Sequence, residues 1–550
     1  MRFLLREHAW WLWVILLLPV VFLLPAFPID ETRYLAVAWE MHHTGNYLVP
    51  HLNGETYSHK PPLLFWLINA SWSVMGIHVW SARFILFSCS VLNLVLVYWL
   101  AYRLTKSTHI ARNSVWILVG MVYFSAFSVA IMFDMLLTCC VLAALHGVLD
   151  LHEKSSRRGI LLLALGTGLG ILAKGPVVLL DIGFVIILGI WWSDTAKSHK
   201  SKWYIYSLCG VIFGIGLALL WAIPAASSGG KAYADAIFLH QTVNRMSESF
   251  AHRRSVWWYF TIFPLMILPW LVVIRAPLKN WRSILGENLA GRFVFSWVIP
   301  AFIAFSFISG KQPHYLLPLL PGVAVGFALL LNHPDTRLKY GVFSVLLCVP
   351  GLLLFILSYP ASHIDGLAFL LPSLKITQQQ WNIASEVWPI WGVTLILIAL
   401  LLACGGKYIK TLPVIALMGA ALPVIGQLAI TQALQKRLDL RPVATEIAKA
   451  QQNGIAVGHL GWHHGLYTFA GRLTQPLEKI DPDNLQQWCL SHKNGWVVSY
   501  QTKYRIDVPV IFEQPFRFGR IAIWRAQDLL AMPQNISTSP AVDEDDDEGE

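Results

Sequence analysis

The sequence predicts an all-α polytopic membrane protein with a small α/β domain at its C-terminal end, and three observations carry that prediction. The composition is 56% hydrophobic against 13% charged over 550 residues, with a mean hydropathy of +0.55, too little polar surface to coat a water-soluble globule. Apolar runs of roughly 17 to 23 residues, the length that crosses a bilayer, recur about thirteen times. Lys and Arg gather at every second connection between those runs, as the positive-inside rule requires of a threaded chain.

The expected spans fall near 9–27, 80–102, 113–132, 135–151, 159–174, 176–192, 204–225, 257–275, 292–309, 313–331, 340–358, 387–404 and 411–431. The basic connections are Arg103/Lys106/Arg112, Lys154/Arg157/Arg158, Lys197/Lys200/Lys202, Arg275/Lys279/Arg282, Arg337/Lys339 and Lys407/Lys410. They are in phase with Arg2 and Arg6, which puts the N-terminus in the cytoplasm. The first run follows its two arginines as a signal peptide's would, but no A-x-A site precedes Asp30, so it reads as a retained first helix. Segment 62–78 is read as interfacial or re-entrant, because a full span there would invert everything after it.

A formal net charge of +10 would suit nucleic acid, yet the cations form short clusters and no continuous stripe, so membrane topology explains them and nucleic acid is excluded. Of seven cysteines, Cys89, Cys139, Cys140, Cys209, Cys348 and Cys404 sit in or beside apolar runs as small packing residues. Only Cys489 lies in a polar region, so no disulfide framework is expected.

This phase sends to the outer face the loop 28–79, the turns near Asp134 and Lys174–Pro176, the loop 227–256, the turn 309–315, the loop 359–386 and everything after about 432. Within the first loop, "DETRYLAVAWEMHHTG" has near-helical apolar spacing and ends at Gly45, which predicts an amphipathic helix on the membrane surface. Asn53–Gly54 is a turn signal and Pro61–Pro62 ends any preceding helix. Beyond 432, "GIAVGHLG", "LYTFAG", "GWVVSY" and "IAIWRAQ" read as short strands, while "PVATEIAKAQQNG" and "DPDNLQQWCLSHKNG" read as helices closed by glycine. The expected division is a membrane domain over 1–431, with interfacial helices in 28–79, a soluble α/β domain over 432–532 and a disordered acidic tail over 533–550.

The polar residues sent to the outer face are Asp30, Glu31, Arg33, Tyr34, His59, Lys60, Asp134, Lys174, His240, Arg245, His252, Arg253, Arg254, Lys311, His314 and Tyr315. Carboxylates here stand among many cations and aromatic hydroxyls. Arg as a fork and Lys as a point charge, held at the membrane surface, suit a phosphate ester. A lipid-linked phosphosugar would place its phosphate there and leave its tail in the bilayer.

"PIDETRY" (28–34), "VPHLNGETYSHKPPLLFW" (49–66), Asp134 at a helix start, "AKGP" (173–176), "HRRSVWWYF" (252–260) and "GKQPHYLLPLLP" (310–321) follow one another in an order that resembles the aminoarabinose transferases that modify lipid A. That family lies within the GT-C superfamily, which includes the protein mannosyltransferases, and the resemblance covers roughly residues 1–330. It implies a GT-C fold and transfer of 4-amino-4-deoxy-L-arabinose from undecaprenyl phosphate to lipid A at the periplasmic side of a bacterial inner membrane. By position it implies that Asp30 is the catalytic-site aspartate, that Asp134 is a second aspartate facing the sugar, and that Lys60, Arg254 and Tyr315 hold the polyprenyl phosphate. Arg33 and Tyr34 join that donor set, with Glu31, His59, Lys174, Arg253 and Lys311 beside it. Relatives often have Glu before the lysine where this chain has His59. No cofactor is required, and a divalent metal is left open by that exchange.

Plainer roles stand beside these. Asp30 suits a helix N-cap, Lys60 a snorkelling side chain, Lys174 and Lys311 helix-end caps, and Arg33 with Tyr34 an interfacial anchor or internal ion pair. Trp257, Trp258 and Tyr259 suit an interfacial belt. Protein, polysaccharide or another lipid are alternative acceptors. A membrane transporter is the alternative of another class, but it calls for internal repeats and ionisable groups near the midplane, and neither is evident. An outer-face receptor or scaffold is a further class, for which a phosphate-suited cluster has no use.

Overall fold

The structure is a computed structural model that describes residues 9–238, 254–359, 384–405, 411–501 and 508–530. Arg253 and the acidic tail 533–550 lie outside these residues, as do His240, Arg245, His252 and nearly all of the loop 359–386.

Among the described residues, seven helices are long and apolar enough to cross a membrane: Val79–Thr105, Asp134–His152, Ser156–Lys174, Lys200–Phe238, Leu289–Phe307, Pro313–Leu331 and Leu412–Gln452. Shorter apolar helices, among them Trp11–Leu23, Gly341–Leu357 and Pro389–Cys404, fill the bundle between them. Three expected spans are broken. The run 113–132 divides into Thr108–Gly120 and Val122–Phe127, 176–192 divides at Leu188, and 257–275 divides around Pro269. Proline and the extended backbone of Met121 free main-chain groups at two of these breaks, and the breaks meet, so that the Val122 amide donates to the Leu268 carbonyl at 3.0 Å. Irregular backbone at membrane depth is tolerated only where it is satisfied by protein in this way.

The elements around the first polar loop are α1 (Trp11–Leu23), α2 (Asp30–Thr44), the hairpin β1 (His51–Leu52) and β2 (Glu55–Thr56), α3 (Leu63–Met75) and α4 (Val79–Thr105). Asn53 and Gly54 at the hairpin tip have φ of 55° and 80°, the left-handed pair that a two-residue turn between twisted strands demands. Then come α5 (Thr108–Gly120), α6 (Val122–Phe127), α7 (Asp134–His152) and α8 (Ser156–Lys174). Helix α3, at 13 residues, reaches only about 20 Å and is too short to span.

Helix α2 ends as the sequence suggests, with Gly45 left-handed at φ 71°, and protein covers much of it. Tyr34, Leu35, Ala36, Val37, Ala38 and Met41 are all buried, because α3 covers one side and residues 462–473 of the C-terminal region cover the other. A Cβ at Gly465 would meet Leu52 and Ala36 at 2.6 and 2.8 Å, so only glycine lets the two segments touch.

One ion pair fixes this arrangement. The Glu31 carboxylate accepts from both Arg83 terminal nitrogens, at 2.9 and 2.8 Å, and from the amides of Phe27 and Ile131 at 2.9 and 2.8 Å. Arg83 also donates to the carbonyls of Val129 and Pro25. Both side chains are buried, and their shared partners join the start of α2, the first turns of α4 and the segment leading into α7.

Helices α7 and α8 form a hairpin packed backbone against backbone. A Cβ on Gly147 would lie 2.5 Å from the Leu163 amide nitrogen, and one on Gly166 would lie 2.4 Å from that of Ala144. Asp134 begins one arm and Lys174 ends the other, so both stand at the same end of the bundle.

Beyond the helix Leu412–Leu438 the chain builds a mixed five-stranded sheet. Its strands follow β3 (Ile274–Arg275) and β4 (Arg337–Leu338), which pair with each other elsewhere. They are β5 (Val457–Leu460), β6 (Glu478–Ile480), β7 (Trp496–Gln501), β8 (Phe512–Phe516) and β9 (Gly519–Arg525), in the order β6-β5-β7-β9-β8. The run "LYTFAG" is not a strand: Thr468–Gly471 is one helical turn whose Phe469 leaves the sheet to stack on Trp72 of α3, 5.2 Å between ring centroids. A side chain buried on a neighbouring element outweighs local β propensity here.

Removing one partner of a buried ion pair costs about 3–5 kcal/mol, because the other charge is left uncompensated. Glu31→Gln or Arg83→Met should therefore lower the thermal unfolding midpoint of the detergent-solubilised protein clearly, and the apolar double replacement should lower it less than either single change. Unfolding monitored by intrinsic tryptophan fluorescence checks this.

Candidate active site

Asp30 opens α2 but does not cap it. The cap position is Ile29, and no side-chain cap bond forms. The carboxylate instead turns to Arg33, one helical turn on, whose Nη2 donates to Oδ1 at 2.5 Å, while the Tyr34 hydroxyl donates to the same oxygen at 3.3 Å. Burial alone would raise the Asp30 carboxyl, but the charge and hydrogen bond of Arg33, followed by His314 and Lys60, bring it below its ordinary value. Burial and then the Asp30 charge push the Tyr34 phenol up, so it acts as a donor.

Asp134 differs in its setting. Its side chain is 2% exposed where that of Asp30 is 47% exposed, and it is bonded to the Lys174 ammonium. Lys174 also lies over the Tyr315 ring, 4.5 Å from its centroid. Asp30 thus faces open space, and Asp134 sits behind a lysine.

His314 joins the two. Its imidazole lies in the fields of Asp134, Lys174, Asp30 and Lys60 and meets the Tyr315 ring edge-on at 4.9 Å. Lys60, at the end of the hairpin segment and just before Pro61–Pro62, acts on both Asp30 and His314. His59 stacks on Tyr57 at 5.2 Å, and the charge of Arg33 is felt with Tyr57 and Tyr34 together.

Arg254 is brought to this end by main-chain bonds. Its amide donates to the Ser309 carbonyl at 3.2 Å, and the buried Lys311 ammonium donates to the Arg254 carbonyl at 2.9 Å and to that of Ile308. The Tyr259 hydroxyl donates to the Gln312 carbonyl at 3.0 Å. The segment bearing Arg254 is thereby pinned to the turn that carries His314 and Tyr315. The guanidinium itself is exposed, 5.6 Å over the Trp258 ring.

The expected residues therefore separate. Asp30, Arg33, Tyr34, Lys60, Asp134, Lys174 and Tyr315 converge, and Arg254 joins them through the 309–312 turn. Glu31 is wholly occupied by Arg83 and two amides, and Lys311 by backbone carbonyls. Among the described residues, no three His, Cys, Asp or Glu side chains converge as a metal cage.

Two members carried no signal strong enough to single them out. His314 was one of several outer-face histidines, and its central place comes from the crossing of three distant segments. Asp181 lies in the first turn of the helix Val178–Ile187, fully buried, with neither carboxylate oxygen hydrogen bonded. Lys174 is the charge that reaches it. An isolated acid in "VVLLDIGFV" is its only mark, and ionisable residues in apolar helices are characteristically functional.

Among the described residues, this cluster stands at one end of a bundle that contains seven helices long and apolar enough to cross a membrane. The profile described as dolichyl-phosphate-mannose-protein mannosyltransferase matches residues 59–221. An undecaprenyl phosphate-α-4-amino-4-deoxy-L-arabinose arabinosyl transferase of Yersinia enterocolitica is 30% identical over 297 residues, 53% of this chain and 52% of that one. The enzyme of the same name from Photorhabdus laumondii is 27% identical over 447 residues, 78% of this chain and 75% of its own. The chain spans about half the length of the first curated relatives it matches. The crystal structure of ArnT from Cupriavidus metallidurans bound to undecaprenyl phosphate superposes with a TM-score of 0.74 at 18% identity, covering 96% of this chain and all of that one. The likeness to the solved structure is one of fold, and the likeness in sequence is to enzymes that bear this arabinosyl transferase name.

Because burial opposes ionisation of Asp30 and is more than offset by the charge and hydrogen bond of Arg33 together with His314 and Lys60, Arg33→Gln should move the Asp30 carboxyl upward. In the unchanged protein its ionised form should persist as pH falls until below about 3.9, the ordinary value for Asp. Carboxylate NMR of the labelled protein in detergent reads both.

Proposed function

We propose that the protein is an inner-membrane glycosyltransferase that takes a sugar from undecaprenyl phosphate, 4-amino-4-deoxy-L-arabinose, and delivers it to lipid A on the periplasmic side. In this reading the N-terminus is cytoplasmic, the membrane domain runs to about residue 431, and the α/β domain after it is periplasmic. The observation that carries it is the convergence of Asp30, Asp134, Lys60, Lys174 and Tyr315 around His314 at one end of an apolar bundle.

The chemistry follows from the charges. As the bond between the anomeric carbon and the phosphate oxygen breaks, its electron pair goes to that oxygen, and positive charge develops on the sugar. Fixed cations and hydroxyls at the phosphate then stabilise the transition state more than the bound donor. Lys60, Arg254 and Tyr315 supply them. Lys174, held on Asp134 and over Tyr315, adds a cation whose position is set in advance. A lipid A phosphate acceptor is ionised near neutral pH and attacks without losing a proton.

Asp30 is the carboxylate in contact with substrate. Its Oδ1 is taken by Arg33 and Tyr34, so Oδ2 is turned to the sugar, where it meets the ammonium of the amino sugar or the charge building at the anomeric carbon. If the acceptor is a hydroxyl, the same oxygen takes its proton. Asp134, buried behind Lys174, positions that lysine.

Asp30→Asn should abolish transfer while the protein still inserts, and Lys60→Ala should lower it by about 10²-fold or more, the scale of losing one preorganised charge donor. Mass spectrometry of lipid A from cells with and without the chain tests the acceptor, and loss of the aminoarabinose adduct is the expected result. Full transfer by Asp30→Asn would overturn its assignment. Unchanged lipid A alongside transfer to another acceptor would overturn the acceptor alone.

A further inference from the structure

The hairpin that ends in Lys60 is gripped from two sides. From below, the Glu40 carboxylate of α2 accepts from the amides of Asn53 and Gly54, at 2.5 and 3.0 Å. From above, the Asn53 side chain makes a two-way bridge to one residue of the C-terminal domain: Nδ2 donates to the Leu477 carbonyl and Oδ1 accepts from the Leu477 amide, both at 2.8 Å. Leu477 immediately precedes β6. An Asn-Gly turn has no need of that bridge to form, because Gly-Gly or Asp-Gly adopts the same left-handed pair. The side chain is therefore committed to the contact between domains.

Little slack separates this grip from the site. Strand β2 pairs with β1, the Tyr57 amide donates to the Pro50 carbonyl at 2.8 Å, and the buried Tyr57 ring is held against Phe65. His59 stacks on Tyr57, and Lys60 follows. Further bonds clamp the same domain to the same loop. Trp39 of α2 donates to the Leu473 carbonyl at 2.8 Å, and Arg472 donates to the Ile77 carbonyl at 2.8 Å while lying over the rings of Trp39 and Phe469.

We infer that the C-terminal domain is part of the donor-phosphate site, acting as a latch that sets the place of the Lys60 ammonium through Asn53. The inference rests on the reading of Lys60 as a polyprenyl-phosphate ligand. Asn53 is a positioning residue and touches no substrate. Supporting groups of this kind hold a functional charge in register, and their loss is felt as weaker binding by the residue they support.

The test is a double-mutant cycle on the full-length protein in detergent, with undecaprenyl phosphate as the titrated probe and tryptophan fluorescence as the readout. Asn53→Gly keeps a turn-compatible residue at the left-handed position and removes the bridge. It should weaken binding about tenfold, Lys60→Ala should weaken it at least as much, and the double variant should bind no worse than Lys60→Ala, since coupled residues are not additive. Losses that multiply, or wild-type affinity in Asn53→Gly, would overturn the latch while leaving the donor site intact. No binding by the unaltered protein would overturn the donor reading and the latch with it. If Asn53→Gly does not fold, Asn53→Asp carries the test: it keeps the bond from the Leu477 amide, loses the other, and should give a smaller loss that vanishes in the Lys60→Ala background.

Discussion

The bond on which this architecture depends is the buried pair of Glu31 and Arg83. An isolated charge at that depth would be prohibitive, and even a paired one recovers its desolvation only if its remaining hydrogen-bonding positions are filled. Here most of them are, by amides and carbonyls from the stretch before α2 and the stretch before α7. Such a pair adds little to net stability compared with packed leucines, but it admits one relative placement of three segments. Those segments end in Asp30 and Asp134. The geometry of the site is thus inherited from a contact that takes no part in its chemistry.

The two aspartates are then differentiated by what surrounds them. Each stands at the first turn of a helix and each has a cation, yet Asp30 remains open and Asp134 is closed behind Lys174. An exposed carboxylate, held ionised by a neighbouring guanidinium, can meet a ligand without reorganising. A buried one whose only gift is to fix a lysine is preorganisation one step removed. Placing Lys174 over the Tyr315 ring links the two halves of the cation set, since Tyr315 comes from the same turn that anchors Arg254.

Much of this was legible in the sequence, and the division between legible and illegible follows physical lines. Apolar run length and basic connections disclosed the bundle because they are local and cumulative. Asp30, Lys60, Asp134 and Tyr315 could be singled out because each sits in a motif that resembles the aminoarabinose transferases, in the same order along the chain. The role of Glu31 could not, since it is set by Arg83, 52 residues away. Nor could the centrality of His314 or the burial of Asp181, both of which arise from crossings of remote helices. The burial of α2 was missed for a related reason: an amphipathic pattern reports that a face is covered and does not say whether lipid or protein covers it. "LYTFAG" misled because Phe469 and Tyr467 are chosen for what they touch outside their own segment.

The glycine-lined contact between α7 and α8 has a consequence for how the pocket can change. With main chains touching at Gly147 and Gly166, the two arms behave as a single stiff prong, and the charges at its tips travel together. Any change in the spacing between Asp134 and Lys174 would therefore require the main chains of both arms to part.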